Sequence, residues 1–299
     1  MKFLKKLSVL AVAAAFAVIC TISSSAATIY ILNGYSYQIV NNASISLCGW
    51  DNRTPELVVP DSIADRYTVS IAPSGFSGND KFTVLDFSQT TKLRTISYLA
   101  FSNCAGISND VVIPATVKAI GINAFQFCRS MPSVTIEGDV AVLPDQVFSC
   151  CTSLKTVTLK GNTTEIGDLA FEYCTQLERV DLPPTVTSIS SSAFKECPNV
   201  TLGVYYDSYA YHYAQKKNLA YTLLDGVKLG DVNGDDDVTI ADATEIQCYL
   251  TELSSLDSIH IHAADVDSDG SVDITDATTL QLYLAGYSAP YPIGEVMIT

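Results

Sequence analysis

The sequence repeats itself over residues 143–182, which read LPDQVFSCCTSLKTVTLKGNTTEIGDLAFEYCTQLERVDL. Phe148 and Phe171 occupy equivalent places in the two copies and lie 23 positions apart. The repeat extends in both directions, because phenylalanines recur at similar spacing: Phe76, Phe101, Phe125, Phe148, Phe171 and Phe194. A coil of 23 residues cannot bury its own apolar face, so we expect stacked coils that share one core.

Two further columns of residues accompany the phenylalanines. An aliphatic residue lies five positions before each one: Ile71, Ile96, Ile120, Leu143, Ile166 and Ile189. A cysteine lies three positions after five of them: Cys104, Cys128, Cys151, Cys174 and Cys197. Coils about 4.8 Å apart would allow disulfides within this column, but a small apolar thiol also packs well in a core. We predict buried free thiols, with Cys150 pointing outward.

The repeating unit resembles that of the BspA-like class of bacterial leucine-rich repeats, which reads roughly I-x-x-x-A-F-x-x-C-x-x-L-x-x-V-x-L. Seven positions of one unit match it: Ile166, Ala170, Phe171, Cys174, Leu177, Val180 and Leu182. The resemblance implies a leucine-rich-repeat solenoid of short β-strands and turns over residues 69–202, with about six repeats of 23–25 residues. We expect residues 28–68 to form its N-terminal cap. Residues 203–228, with a helix near Ala210–Lys217, would form its C-terminal cap and a short linker.

The end of the chain has a different charge from the repeats. Residues 229–299 contain 14 of the 32 acidic residues and no Lys or Arg, in a chain of net charge −15. This acid excess argues against nucleic-acid binding, which needs clustered basic residues. It favours a cation as the partner of this segment.

Residues 231–250 and 265–284 form a second repeat with an offset of 34 positions. Each copy opens with a 12-residue loop rich in oxygen-bearing side chains, and an apolar pattern of helical spacing follows. Calcium takes six to eight oxygen ligands, and this spacing folds them around one centre. We predict two calcium ions, held by Asp231, Asn233, Asp235, Asp237, Thr239 and Asp242 in the first loop and by Asp265, Asp267, Asp269, Ser271, Asp273 and Asp276 in the second. Asp236 stands where calcium loops have glycine, so the first site should be the weaker one.

A calcium loop followed by a single helix, twice within about 60 residues, resembles the type I dockerin. Ordinary EF-hands also have an entering helix, and Leu229-Gly230 leaves no room for one. The resemblance implies a small all-α module over residues 229–287, followed by a tail at 288–299. It also implies that the partner of this module is a cohesin module of a cellulosomal scaffoldin.

The same resemblance implies where the cohesin would bind, namely at the last loop positions and on the outer face of each helix. Carried across, the contacts are Ile240, Ala241, Thr244, Gln247, Cys248, Ile274, Thr275, Thr278, Gln281 and Leu282. These residues are mostly apolar or neutral, whereas better-known type I dockerins carry Ser-Thr and Lys-Arg pairs here. We therefore expect a cohesin of a different specificity group, which either copy could face.

The N-terminus has the pattern of an export signal. Lys2, Lys5 and Lys6 precede an apolar run that ends at Cys20, and small residues follow up to Ala27. This order is typical of a secretory signal peptide. We expect residues 1–27 to be removed and the protein to be secreted, without stable membrane insertion.

The sequence favours a binding protein over an enzyme. The carboxylates of residues 28–228 follow no shared motif, and a glycoside hydrolase would need two of them facing a cleft at about 5–9 Å. We expect a non-catalytic protein that is attached to a cellulosome by its dockerin. Its solenoid would offer a face for protein partners in polysaccharide-degrading complexes, lined by Ser133, Thr135, Thr156, Thr158, Arg179 and Asp181. The alternative is a carbohydrate-binding solenoid with exposed aromatic platforms at Tyr98, Tyr173, Tyr205 and Tyr206.

Overall fold

The computed structural model describes residues 28–51, 53–205, 208–224, 226–235, 237–256, 258–294 and 296–297. The predicted signal peptide therefore lies outside the described residues. The described part of the chain divides into two compact units, with the boundary between Val200 and Thr201. The predicted C-terminal cap of the solenoid thus belongs to the second unit by this division.

The first unit begins with antiparallel strands. Strands β1 (Ile29–Leu32), β2 (Tyr35–Asn41) and β3 (Ser44–Trp50) pair in sequence order. From β3 onward the pairing becomes parallel, through β6 (Arg66–Ile71) and then β8 and β10, which are Thr95–Ile96 and Ala119–Ile120. A short strand, β5 (Ser62–Ile63), pairs antiparallel with β6. Parallel stacking therefore starts with the pairing of β3 and β6.

Each repeat contributes a longer and a shorter strand, and most of these strands pair with the same strand of the next repeat. The longer strands are β7 (Val84–Asp86), β9 (Val111–Ile113), β11 (Ser133–Ile136), β13 (Thr156–Leu159) and β15 (Arg179–Asp181). Strands β9, β11, β13 and β15 pair in parallel, whereas β7 pairs with β4 (Glu56–Val58). The shorter strands β12 (Val142–Leu143), β14 (Glu165–Ile166) and β16 (Ser188–Ile189) form a second parallel sheet. This architecture confirms the predicted solenoid.

The phenylalanine column forms the centre of the core. Neighbouring rings, from Phe76 to Phe194, stack with centroids 5.2–5.8 Å apart and interplanar angles of 4–23°. All six side chains are buried. The prediction that Phe171 aligns with Phe148 and Phe194 inside the core is therefore confirmed.

The cysteine column links successive coils through hydrogen bonds. Each buried thiol Sγ donates to the carbonyl oxygen of the phenylalanine one coil earlier, at 2.9–3.2 Å. All five are free thiols. Burial raises the pKa of Cys104 and Cys151, which keeps these thiols protonated and able to donate. Cys150, the neighbour of Cys151, is only half-buried.

The turn after each phenylalanine contains a residue in the left-handed conformation. The residue two positions after the phenylalanine has a φ of +57° to +74° in six coils: Gly78, Asn103, Phe127, Cys150, Tyr173 and Glu196. In the first five of these coils, the backbone N–H group of this residue bonds to the next coil, for example from Tyr173 to the carbonyl of Lys195 at 3.0 Å. These bonds offset the roughly 1–2 kcal/mol that a side chain with a Cβ loses in this conformation.

The second unit begins with a strand–helix–strand segment. Strand β17 (Thr201–Val204) pairs in parallel with β18 (Ala220–Leu223), and helix α1 (Tyr209–Lys217) connects them. Helix α1 starts at the N-cap Ser208, whose side chain accepts the N–H of Tyr211. The predicted helix in this segment is confirmed.

Among its described residues, the rest of the second unit has three helices, α2 (Ile240–Leu250), α3 (Ser258–Ala264) and α4 (Ile274–Leu284). Two short strands, β19 (Val227–Lys228) and β20 (Val296–Met297), pair antiparallel. The N–H of Gly294 bonds to the carbonyl of Leu229 at 2.8 Å, and Ile293 is buried. The segment expected to be a tail thus returns to the start of the helical part. Among the described residues, no helix combines the length and apolar character that crossing a bilayer requires.

Candidate metal centres and interaction surfaces

Each acidic loop is closed by its last residue. Asp242 is fully buried, and its Oδ1 accepts hydrogen bonds from the N–H groups of Val232 (2.8 Å) and Asn233 (3.0 Å). Its Oδ2 accepts the N–H of Thr239 at 2.8 Å. A single carboxylate therefore joins the two ends of the first loop and fixes its conformation.

The second loop has the same closing bonds. Oδ1 of the buried Asp276 accepts the N–H groups of Val266 (2.7 Å) and Asp267 (3.1 Å), and its Oδ2 accepts the N–H of Asp273 at 2.8 Å. Each of these bonds has its counterpart 34 positions earlier in the chain. Asp242 and Asp276, which the sequence suggests as metal ligands, therefore also organise their loops.

Three predicted ligands of the second loop converge on one point. One side-chain oxygen from each of Asp265, Asp267 and Asp269 lies within 4.8 Å of the other two. The N–H groups of Asp269 and Gly270 each bond to Asp265 at 3.0 Å and orient its carboxylate. Partial burial, followed by repulsion from Asp276 and Asp269, raises the pKa of Asp267. A cation among these oxygens would relieve that electrostatic cost.

The first loop has the same turn with one carboxylate fewer. The N–H of Asp235 bonds to Oδ1 of Asp231 at 3.1 Å and to Oδ1 of Asn233 at 3.0 Å. Asn233 stands where the second loop has Asp267, and its amide Nδ2 donates to Asp235 at 2.9 Å. This amide replaces a carboxylate at the third position and occupies part of the acceptor capacity of Asp235, although each loop contains five aspartates.

The ninth residue of each loop also caps the following helix. Oγ1 of Thr239 accepts the N–H of Ala241 at 3.2 Å, and Oδ1 of Asp273 accepts the N–H of Thr275 at 2.6 Å. This hydrogen bond lowers the pKa of Asp273. Each loop is therefore continuous with the first turn of its helix, where the predicted cohesin contacts begin.

Positions six and seven complete the comparison of the loops. Gly270 has a φ of +91°, a left-handed conformation that favours glycine. Its counterpart Asp236 lies outside the described residues, so the weaker first site stays a prediction. Asp237 and Ser271 are exposed. The donors of both loops are carboxylate, amide, hydroxyl and carbonyl oxygens, a set that fits a hard divalent cation such as calcium.

A small core lies beneath the two loops and is built from matching residues of the two copies. Helices α2 and α4 contact each other across it. The buried members are Leu229, Val232, Ala243, Ile246, Ala264, Val266, Ala277, Leu280 and Ile293. Because one face of each helix is used in this core, the opposite face is left open to solvent.

The predicted cohesin contacts lie on that open face. Ile240 and Ile274, the first residues of α2 and α4, are 63 % and 61 % exposed. Thr244 donates its hydroxyl hydrogen to the carbonyl of Ile240 at 2.8 Å, and Thr278 makes the equivalent bond at 2.7 Å. The remaining predicted contacts are either exposed (Ala241, Thr275 and Leu282) or half-buried (Gln247, Cys248 and Gln281). The ten predicted contacts are therefore uncharged, with five apolar and five polar side chains.

Two exposed apolar residues just beyond the helices escaped the sequence analysis. Leu253 follows α2 and Tyr287 follows α4, again 34 positions apart. Both side chains are mostly exposed. Because they occupy equivalent positions in the two copies, a comparison of the copies could have identified them from the sequence.

The solenoid has an outward face along its longer strands. Its six predicted residues form two rows, in which each residue pairs with its counterpart in the next coil. The rows are Ser133, Thr156 and Arg179, and Thr135, Thr158 and Asp181, all half-buried. Arg179 Nε and Asp181 Oδ1 form an ion pair at 2.6 Å. The rows give this face regular polar ridges.

A recess adjoins these rows at their N-terminal end. The side chain of Asn109 occupies the edge of β7, where it accepts the N–H of Leu85 at 2.9 Å and donates to its carbonyl at 3.1 Å. A cavity of about 500 Å³ opens beside it. Its walls combine acidic and apolar residues, among them Val84, Asp86, Asp110, Val112, Pro114 and Glu137.

Two of the aromatic residues considered for carbohydrate binding, Tyr98 and Tyr173, occupy different places in their coils. Tyr98 lies three positions before its phenylalanine, whereas Tyr173 lies two positions after the phenylalanine of a coil three repeats later. Both are exposed, and Lys195 Nζ lies 5.9 Å from the ring centroid of Tyr173. Tyr205 is half-buried, and Tyr206 lies outside the described residues.

Comparison with known proteins assigns both parts of the chain. Residues 69–201 match the family described as BspA type leucine rich repeat region, in six copies, and residues 229–285 match the dockerin type I domain. A search of curated proteins gave no match.

Several solved structures of bacterial leucine-rich-repeat proteins are similar to the first part. The leucine-rich-repeat protein TpLRR of T. pallidum shares 22 % identity and a TM-score of 0.51, over 64 % of this chain and 96 % of that one. A leucine-rich-repeat protein from Bacteroides ovatus shares 16 % identity (TM-score 0.38; 64 % and 66 % covered). The pneumococcal vaccine antigen PcpA shares 14 % (TM-score 0.40; 60 % and 65 % covered). The chain therefore combines a BspA-type leucine-rich-repeat region with a type I dockerin domain.

Proposed function

We propose that this chain is a secreted, non-catalytic binding protein that its dockerin attaches to a cohesin module of a cellulosomal scaffoldin. A dockerin implies a cohesin partner, and a leucine-rich-repeat region suggests a protein-interaction surface. Both kinds of domain are generally non-catalytic and typical of secreted or surface bacterial proteins. The observation that carries the proposal is the pair of equally closed acidic loops, each followed by a helix with an open, uncharged face.

Calcium would link the loops to the docking faces. Type I dockerins typically bind this ion, and we propose two, one in each loop, held by the twelve predicted ligands. The bound ions supply positive charge at the point where the carboxylates converge. Residues of the chain then connect each ordered loop to its helix. Asp242 closes the first loop and Asp276 the second, and the ninth residue of each loop caps the helix that follows. The predicted cohesin contacts begin at Ile240 and Ile274, directly after these capping residues.

The test uses the full chain and a panel of purified type I cohesin modules. Wild-type protein should bind at least one cohesin in calcium and release it in EDTA. Asp231→Ala combined with Asp265→Ala should abolish binding and leave the solenoid folded. Asp110→Ala, an exposed aspartate of the solenoid, is the matched control and should bind as wild type does. Binding that persists in EDTA would contradict calcium-dependent docking.

The solenoid would act in the same complexes as a surface for protein partners. The regular polar rows and the adjoining recess, with its mixed acidic and apolar walls, support a protein segment as ligand. Capture from culture medium by the full chain can test this when it is compared with Thr158→Arg and Val112→Arg variants. A partner of this face should be lost from both variants and retained by Lys216→Ala, which alters an exposed helix residue. If no captured protein depends on Thr158 or Val112, this assignment of the face is wrong.

A further inference from the structure

The dockerin carries the four most exposed large apolar side chains of the described residues. They are Leu253 (80 %), Tyr287 (66 %), Ile240 (63 %) and Ile274 (61 %). The two isoleucines belong to the predicted cohesin contacts. Leu253 and Tyr287 lie beyond the helices, at equivalent places in the two copies, and nothing above assigns them a role.

The ends of the two helices place these residues beside the predicted contacts. After α2, Glu252 adopts a left-handed φ of +59°, and the N–H of Leu253 bonds to the carbonyl of Cys248 at 2.9 Å. After α4, Gly286 has a φ of +87°, and the N–H of Tyr287 bonds to Leu282 at 3.1 Å. Cys248 and Leu282 are themselves predicted contacts, so the apolar surface continues past each helix end.

This turn does not itself explain a large apolar side chain. A helix end of this kind needs the left-handed residue and the backbone hydrogen bond that follows it, which many residues could supply. The apolar residue after such a turn often packs on the last helical turn, yet Leu253 and Tyr287 stay mostly exposed. Exposed apolar side chains next to an interaction surface are expected to be covered by the partner.

We infer that Leu253 and Tyr287 belong to the docking surface, and that the second copy is the preferred docking face. The inference rests on the proposed cohesin partner, whose contact surface these residues extend. The two copies are identical at Ile240/Ile274, Thr244/Thr278 and Gln247/Gln281. They differ in apolar size at two adjoining places, where the first copy has Cys248 and Leu253 and the second has Leu282 and Tyr287.

The difference in side-chain size sets the direction of the preference. Burying a larger apolar side chain removes more apolar area from water, and a fully buried one strengthens association by about tenfold or more. A cohesin on the second copy would cover a leucine and a tyrosine, in place of a cysteine and a leucine. The second docking mode should therefore predominate even though both remain possible.

The experiment measures the affinity of the full chain, in saturating calcium, for a purified type I cohesin that binds the wild type. Tyr287→Ser should lower the affinity by about tenfold, whereas Leu253→Ser should lower it by less than about twofold, because the preferred face is intact. The double variant should bind more weakly than either. Tyr98→Ser, which removes a tyrosine that is 51 % exposed on the solenoid, should change nothing.

A transplant gives the sharpest test. Cys248→Leu with Leu253→Tyr builds the side chains of the second copy into the first, and it should restore binding in the Tyr287→Ser background. A double variant Leu253→Ser/Tyr287→Ser that binds like wild type would overturn the inference. A larger loss from Leu253→Ser than from Tyr287→Ser would overturn the preference for the second copy. Calcium-dependent melting of each variant checks that the dockerin is still folded.

Failure of the inference is distinguishable from failure of the proposed function. A variant changed at Ile240, Gln247, Ile274 and Gln281 together should lose cohesin binding if the helix faces dock. If that variant loses binding while Leu253→Ser/Tyr287→Ser keeps it, only the extension is wrong. If the wild type binds no cohesin, or the four-site variant binds normally, the proposed docking fails and the inference with it.

Discussion

The leucine-rich-repeat unit and the dockerin both consist of repeats, but repetition serves different ends in them. In the solenoid, each coil adds the same contacts to its neighbour: a stacked phenylalanine, a thiol–carbonyl hydrogen bond and a backbone hydrogen bond from the turn. In the dockerin, two copies share one small core, and each keeps its own acidic loop and its own open helix face.

The charges follow the same division. Residues 28–228 hold 14 basic and 18 acidic residues, whereas residues 229–299 hold 14 acidic residues and no basic one. The solenoid can therefore balance its charges internally, and the dockerin depends on a cation from outside. The stacked repeats of the solenoid therefore provide stability, whereas the two copies in the dockerin provide two equivalent surfaces.

The largest effect should come from removing calcium. We expect two thermal unfolding transitions by calorimetry, and EDTA should shift only that of the dockerin, because its closely spaced carboxylates repel one another without the ion. Near-UV circular dichroism and cohesin binding would identify which unit has been lost. A single transition that moves as a whole with calcium would show that the two units unfold together.

Truncating a core side chain of the solenoid should destabilise the solenoid and leave the dockerin unchanged. Phe171→Ala removes a fully buried ring from the stack and should cost about 3–5 kcal/mol of unfolding free energy. Denaturant unfolding should show the loss in the solenoid transition alone. Tyr173→Ala, at an exposed position of the same coil, is the control and should cost much less. Comparable losses for both would contradict the buried column.

The paired surfaces of the dockerin should be partly redundant. Ile240→Ser with Gln247→Ala should weaken cohesin binding by no more than about twofold, since the second copy stays available. Adding Ile274→Ser and Gln281→Ala should abolish binding. Titration calorimetry on the full chain measures both effects. If the first pair of changes alone removes binding, the first helix is the sole contact and the symmetric mode is wrong.

The smallest effect concerns a buried hydroxyl in the solenoid. Thr68 is fully buried in β6, and its Oγ1 makes no hydrogen bond with the described residues. Thr68→Val keeps the shape and removes this group, so it should stabilise the solenoid by about 1 kcal/mol. Thr163→Val is the matched control: Thr163 Oγ1 donates to the carbonyl of Val140 at 2.8 Å, so this change should destabilise by a similar amount. Equal effects of the two changes would show that apolar packing alone decides both positions.

The features that could be predicted from the sequence are those that repeat at a regular spacing. The phenylalanine, aliphatic and cysteine columns and the solenoid they build followed from spacing, because each column repeats one kind of side chain. The left-handed turn could not be found this way. Asn103, Phe127, Cys150 and Tyr173 share no chemical type. They share a left-handed backbone conformation, which hydrogen bonds to the next coil support.

In the dockerin, too, some features could not be predicted from the sequence. The spacing of the acidic residues predicted the convergence of Asp265, Asp267 and Asp269. It did not reveal that Asp242 and Asp276 close the loops through backbone N–H groups, since those partners are carried by every residue type. The return of Gly294 to Leu229 and of Val296–Met297 to Val227–Lys228 was also missed, because such short contacts leave no periodic trace.

The thiol–carbonyl column has a consequence for how the chain must mature. Unfolded, the five column cysteines have ordinary thiol reactivity and are free to be oxidised or to form wrong disulfides. Once the coils close, the same sulfurs are buried and out of reach. Under the proposed export, folding therefore competes with oxidation outside the cell, and the order of the two events decides how much native protein is obtained. Refolding yield should accordingly fall when an oxidant is added before, but not after, the solenoid has formed.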